Sequence, residues 1–191
     1  NCEAYHGSDD GFEFFGGSVN VKNMVVVNCS DDSFDWTEGW NGKGENLVAY
    51  QENASTLGYD CDCLIEADNN ENNYSATPVS HPVLKNLILV GNGGNKQGIR
   101  LRRGTKVEIT SAKVSGKGKT MAVESAETEN ALLNGKSKLT HVSISGTLDS
   151  KEGIYTNEAF VAAGNETEQS FSYTSLNDIA KECTWMNGWI K

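Results

Sequence analysis

The chain of 191 residues carries 16 Lys and Arg against 26 Asp and Glu, a formal charge of −10, and is rich in Gly and Asn, with 20 of each. This length predicts one domain with a full core, and a hydrophobic content of 37% argues against extensive disorder. The negative charge argues against a nucleic-acid partner, and no apolar run reaches the about 20 residues that a membrane-spanning segment needs.

A short motif repeats near the start of the chain. DDGFEF at residues 9–14 returns as DDSFDW at residues 31–36, and weaker copies follow at 62–66, 98–101, 120–123 and 159–161. Apolar residues alternate with polar ones in these copies, which predicts short strands of about 4–6 residues. The aromatic residues of the first two copies should point inward.

A second series of strands lies between the members of the first. Each of its units places one small or polar residue before an apolar-x-apolar strand; these residues are Asn23, Asn46, Asn86, Ser111 and His141. Two interleaved series with a shortest repeat of about 22–25 residues predict an all-β fold, a parallel β-helix (solenoid) of about five to six coils. A sandwich or jelly roll would also be rich in strands, but it would not repeat position by position. Stacked Asn amides should bond to one another along the axis.

The stretches between repeats, and the end of the chain, depart from the pattern. Insertions at 52–60, 69–82, 124–137 and 147–158 should form loops on a working face. Ser-Leu-Asn-Asp at 175–178 is a capping box that predicts a short helix. We therefore predict coils over 1–165 and a capping segment over 166–191, in which Trp185 and Trp189 plug the open end of the solenoid. A sugar-stacking platform is the alternative role for these two tryptophans.

One outward-facing column contains residues that could bind a ligand. Glu13 and Asp35 should project side by side from strands about 4.8 Å apart, with Arg100 at the equivalent place further along and Arg102 close by. We predict that Glu13, Asp35, Arg100 and Arg102 bind a sugar or a polyanion. Two close carboxylates would raise one pKa, so Glu13, Asp35 and Arg100 are also the candidates for catalysis. The alternative is a solvated salt-bridge ladder.

Aspartate pairs stack at one corner of the predicted coils. Asp9, Asp10, Asp31 and Asp32 are either Ca²⁺ ligands or turn residues that bond to backbone N–H groups. Repulsion among them calls for a compensating cation, and Lys22 and Lys43 are candidates. No other cofactor is predicted.

Five cysteines, Cys2, Cys29, Cys61, Cys63 and Cys183, form no CxxC pair, so a structural zinc site is not expected. Cys29 could pair with Cys61 or Cys63 in a disulfide. The alternative is that these small side chains are buried as free thiols.

Four segments carry a resemblance to known proteins: residues 9–22, 31–36, 80–86 and 98–105. They resemble a family of secreted or lipid-anchored bacterial β-helix proteins, which implies a right-handed β-helix and an extracellular or cell-envelope location, but no catalytic residues. A more distant resemblance is to the polygalacturonases among pectate-lyase-like β-helices. Asp9-Asp10 or Asp31-Asp32 would stand for their Asp pair and 100–102 for their Arg-x-Lys, whereas their Gly-His-Gly is absent.

These observations predict an extracellular or cell-surface module that binds a glycan or a surface protein without catalysis. The alternative is a polysaccharide lyase or glycoside hydrolase acting on an acidic polysaccharide. Because the first coil begins at Asn1 without a cap, we also expect further coils or a partner subunit to pack upstream of Tyr5.

Overall fold

The computed structural model describes residues 1–191 and contains two parallel sheets of six strands each. Sheet 1 consists, in order, of β1 (Cys2–Tyr5), β3 (Val21–Val27), β5 (Lys43–Tyr50), β7 (Val83–Val90), β9 (Glu108–Ser115) and β11 (Lys138–Ile144). Sheet 2 consists of β2 (Phe12–Phe15), β4 (Phe34–Thr37), β6 (Ile65–Ala67), β8 (Gln97–Leu101), β10 (Lys119–Val123) and β12 (Leu148–Ser150). Successive strands alternate between the sheets, so each of six coils adds one strand to each sheet. The predicted all-β parallel β-helix is confirmed.

The core lies between the two sheets as stacked columns of apolar side chains. A cluster of 29 buried residues fills it. Sheet 1 contributes two columns in register: Met24, Leu47, Leu87, Ala112 and Val142, and beside them Val26, Ala49, Leu89, Val114 and Ile144. Stacking like residues at equivalent positions lets each coil bury its apolar face against its neighbours, which a single coil could not do alone.

One polar residue in each of the sheet 1 strands β3, β5, β7, β9 and β11 bends the chain. Asn23, Asn46, Asn86, Ser111 and His141 all have positive φ, between 54° and 62°. This left-handed residue lets Val21 and Met24 both face the core although they are three positions apart. The predicted amide ladder is present: the Asn46 amide donates to Asn23 at 2.7 Å, and the Asn86 amide donates to Asn46 at 3.1 Å.

Four short helices interrupt or follow the coils: α1 (Ala54–Leu57), α2 (Ala126–Leu133), α3 (Asn157–Ala162) and α4 (Leu176–Glu182). None is long and apolar enough to cross a membrane. The prediction of a strand at 159–161 is wrong, because this segment belongs to α3. Its Phe160 is fully buried in the core cluster together with Leu132 and Tyr155. These residues cover the core at the last coil.

The C-terminal segment covers the side of the solenoid. The predicted capping box is confirmed, since the Ser175 side chain accepts a hydrogen bond from Asp178 N at the start of α4. However, Ile179 and Met186 pack on outward-facing residues of sheet 1, which include Val48 and Ile88. The prediction that this segment plugs the open end is therefore wrong. Outward Val and Ile side chains on neighbouring strands form an apolar stripe, and covering it removes more apolar surface from water.

Two further observations concern the thiols and the first coil. All five cysteines are free, and Cys29, Cys61 and Cys63 are buried, so the free-thiol alternative holds in this structure. Strands β1 and β2 lie at the edges of their sheets. The expectation of further coils or a partner subunit beyond them stays a prediction.

Candidate functional site

The outer face of sheet 2 carries the predicted column of charged residues. Glu13 pairs in register with Asp35, Asp35 with Glu66, and Glu66 with Arg100. Behind the two acids, the rings of Phe12 and Phe34 stack with centroids 6.0 Å apart. The predicted register is therefore confirmed. Glu66 was not among the predicted site residues, although it ends the third copy of the first repeat.

The arginines of this face are paired with the chain's own carboxylates. Arg100 contacts Glu66 at 3.1 Å and Glu124 at 3.0 Å. Arg102 contacts Glu66 and also Asp68, the latter at 2.7 Å. This half of the column is thus the salt-bridge ladder considered as the alternative. The roles of Arg100 and Arg102 in ligand binding stay predictions, and a ligand would have to compete with these ion pairs.

The other half of the column holds carboxyl groups without a cation. One oxygen from each of Asp10, Glu13 and Asp35 lies within 4.8 Å of the other two. Burial, followed by repulsion from Asp10 and Glu66, raises the pKa of Asp35 to about 8, and its buried Oδ1 has no hydrogen-bond partner. Burial also raises the pKa of Asp10 to about 6 and raises the pKa of Glu13. At neutral pH the protonated form of Asp35 is therefore favoured.

The aspartates at the corner bind the backbone of the next coil. Asp10 Oδ1 accepts from Asp32 N at 2.9 Å, and Asp32 Oδ1 accepts from Cys63 N at 2.7 Å. These two residues therefore act as the turn residues of the second alternative. Asp9, Asp10 and Asp31 still place one oxygen each within 4.8 Å of the others.

The expected compensating lysines lie elsewhere. Lys22 pairs with Glu45 on sheet 1, and Lys43 begins β5 of the same sheet. Lys96 lies close to the corner instead: its Nζ is 2.6 Å from Asp62, and its charge acts on Asp31. The repeat pattern could not show this, because Lys96 lies in a turn outside both repeat series.

Two grooves run over this face of sheet 2. The first, called here the acidic groove, encloses about 240 Å³ and is lined by Glu13, Phe15, Asp35, Thr37, Glu38, Glu66, Asp68, Asn70, Glu71, Asn72, Arg102 and Arg103. Phe15 at its edge is 65% exposed. The second groove, of about 460 Å³, contains Tyr74, Glu124 and Lys151. Arg102 and Arg103 line both, so the two grooves adjoin.

Comparison with known proteins identifies the fold family. No curated protein and no solved structure matches the chain. A family model described as a pectate-lyase-like β-helix domain matches residues 1–190. This match covers nearly every residue and agrees with the two parallel sheets and six coils. The chain therefore belongs to the pectate-lyase-like β-helix family.

Proposed function

We propose that the acidic groove on sheet 2 binds a glycan chain. The observation that carries this proposal is an exposed aromatic ring beside hydrogen-bonding side chains: Phe15 lies in one groove with the Glu13 and Asp35 carboxyl groups and the Asn70 amide. Sugars offer apolar C–H faces that pack on aromatic rings and hydroxyl groups that bond to carboxylates and amides. Polar groups also recur at every strand, about 4.8 Å apart, so a chain lying across the strands meets one at each step.

The charge of the groove favours a neutral glycan. Six of its lining residues are acidic, whereas Arg102 and Arg103 are its only cations and both already contact carboxylates. A uronic-acid chain would add like charges to a site where burial and repulsion between carboxylates already raise the pKa of Asp35. We therefore favour neutral polysaccharides over the acidic polysaccharide named in the alternative, enzymatic prediction.

Titration calorimetry against neutral and uronic-acid oligosaccharides tests this function. Phe15→Ala should weaken binding of a neutral oligosaccharide about tenfold, because it removes the stacking surface. Tyr5→Ala is the matched control, since Tyr5 is also an exposed aromatic residue, 46% exposed, but lies on sheet 1. Equal affinities for Phe15→Ala and the unchanged protein would refute this placement of the glycan.

Hydrolysis of the glycan is a second candidate function. It is favoured by one observation, the close Glu13–Asp35 carboxyl pair in which Asp35 holds its proton to about pH 8. A retaining glycosidase places two carboxyl groups about 5 Å apart, one as acid and one as nucleophile. Glu13→Gln and Asp35→Asn should then abolish the release of reducing ends while leaving the glycan bound. If the groove only binds, no reducing ends appear with any variant.

Calcium and cellular location stay predictions. The carboxylates of Asp9, Asp10 and Asp31 offer oxygen ligands of the kind Ca²⁺ prefers. If they bind it, added Ca²⁺ should raise the melting temperature of the protein but not that of Asp31→Asn.

We also propose an extracellular or envelope location, which glycan binding supports and which fractionation of the producing cells would test.

A further inference from the structure

A buried lysine lies at the turn between β9 and β10. Lys117 is only 6% exposed, and its Nζ donates to two uncharged oxygens, Cys61 O at 3.0 Å and Asn92 Oδ1 at 2.9 Å. Burial lowers the pKa of this amine, although Asp60 and neighbouring groups oppose the shift. Because burial destabilises the ammonium form, the neutral amine, whose lone pair is needed for nucleophilic attack, forms more readily here than at an exposed lysine.

The side-chain amide of Asn92 faces this amine and is held in place as the electrophile. Asn92 is 8% exposed, and its Oδ1 also accepts from Gly94 N at 3.1 Å. Its Nδ2 donates to Asp60 Oδ1 at 2.7 Å. Since Lys117 Nζ lies 2.9 Å from Oδ1 and a C=O bond is about 1.23 Å long, Nζ is at most about 4.1 Å from the amide carbon. The Lys117 amine, the Gly94 N–H and the Asp60 carboxylate thus all contact the side-chain amide of Asn92.

We propose that Lys117 and Asn92 join in an intramolecular isopeptide bond. The neutral amine attacks Asn92 Cγ and forms the new N–C bond, while Gly94 N–H stabilises the charge that develops on Oδ1. The bond from Cγ to Nδ2 then breaks, and its electron pair stays on the nitrogen. The attacking nitrogen loses one proton and the departing nitrogen gains one, with the Asp60 carboxylate, which is hydrogen-bonded to the departing nitrogen, assisting the transfer, so that the products are an amide and ammonia. No oxidant or cofactor is required.

The bond would connect two neighbouring coils. Asn92 lies in the turn that follows β7, and Lys117 lies in the turn that follows β9, where Gly93 N already donates to Gly116 O. A covalent link here would hold the two turns together during local opening, as a disulfide does for the loop that it closes. This cross-link is independent of the glycan groove on the outer face of sheet 2.

The intact mass of the purified protein tests the proposal. Ammonia loss should make the chain about 17 Da lighter than its sequence requires. Lys117→Met and Asp60→Asn should restore the full mass, and trypsin digestion of the unchanged protein should release one branched peptide that joins the segments around residues 92 and 117. Lys119→Met is the matched control, because this exposed lysine pairs with Asp149 and should not alter the loss.

Two results would overturn the proposal. An unchanged mass would show that the bond does not form. A loss of about 17 Da that persists in Lys117→Met would show that the loss comes instead from cyclisation of an asparagine onto the backbone of a following glycine, as at Asn92-Gly93 or another Asn-Gly step, which also releases ammonia. Circular dichroism of Lys117→Met serves as the folding control, because an intact β spectrum shows that the mass of this variant was measured on folded protein.

Discussion

Glu129 on α2 holds the chain after β12 in place with one carboxylate. The side chain is fully buried and accepts from Ser150 Oγ at 2.6 Å, Glu152 N at 2.7 Å, Ile154 N at 2.7 Å and Tyr155 N at 2.9 Å. A hydrogen bond to a charged group contributes about 1.5–3 kcal/mol, and a buried N–H left unpaired costs about 1–3 kcal/mol. These contributions are not additive, so we expect Glu129→Ala to lower the free energy of unfolding by about 3–5 kcal/mol.

Urea unfolding at pH 7, followed by circular dichroism, measures this loss. Glu127→Ala is the matched control, because Glu127 lies on the same helix but is exposed, and it should change stability by less than about 0.5 kcal/mol. Hydrogen exchange should also show that the amides of Ile154 and Tyr155 lose protection in Glu129→Ala. Equal stability of the two variants would refute the reasoning.

The pH dependence provides a second check on Glu129. Burial alone would raise the pKa of this carboxyl, but the hydrogen bonds from Ser150 and three backbone N–H groups lower it below its ordinary value. The stabilisation is therefore present above the ordinary glutamate pKa and is lost as pH falls through the folded-state pKa. The difference between the unchanged protein and Glu129→Ala should shrink in acid, and a constant difference would contradict the assignment.

Three further predictions concern the two sheets. Because the folded protein keeps Asp35 protonated up to about pH 8 whereas the unfolded chain ionises it near pH 3.8, its contribution to stability falls as pH rises between these values. Asp35→Asn should then be more stable by about 2 kcal/mol at pH 8 and nearly unchanged at pH 4, as measured by urea unfolding. Asn46→Ala should lose about 2 kcal/mol through the broken amide ladder and the strained φ of 60°, and Asn46→Gly should lose less because glycine adopts this φ freely. Arg102→Met should lower the free energy of unfolding by about 2–4 kcal/mol, since Asp68 and Glu66 would lose a partly buried cation; a melting temperature equal to that of the unchanged protein would contradict this.

The coils and their register were predictable from local sequence. Phe12 and Phe34 recur at the same place in two copies of one motif, and a slip of one residue would expose both rings and bury Glu13 and Asp35. That energetic penalty ties the period of the sequence to the stacking of the coils. The same reasoning identified the Glu13–Asp35 pair, because residues that alternate with buried positions must face outward.

The electrostatics of the site depended on residues outside the repeats. Glu124 lies past the end of β10 and Asp68 past the end of β6, yet both neutralise arginines of the sheet 2 face. Ion pairs of this kind form between positions about 24–36 residues apart, and alternation along a strand carries no information on which of several acids an arginine selects.

The repeating sequence by itself determined the two sheets, the columns of the core and the outward acids, because each coil buries its apolar residues only by matching its neighbours. Tertiary structure alone decided where the non-repeating segments lie. Residues 175–190 cover the outer face of sheet 1, and α3 covers the last coil. Each segment buries apolar side chains that the coils alone would leave exposed to water. The tertiary structure also decided that Lys117 is enclosed beside Asn92, because the Lys117 amine is removed from water only when the two turns stack.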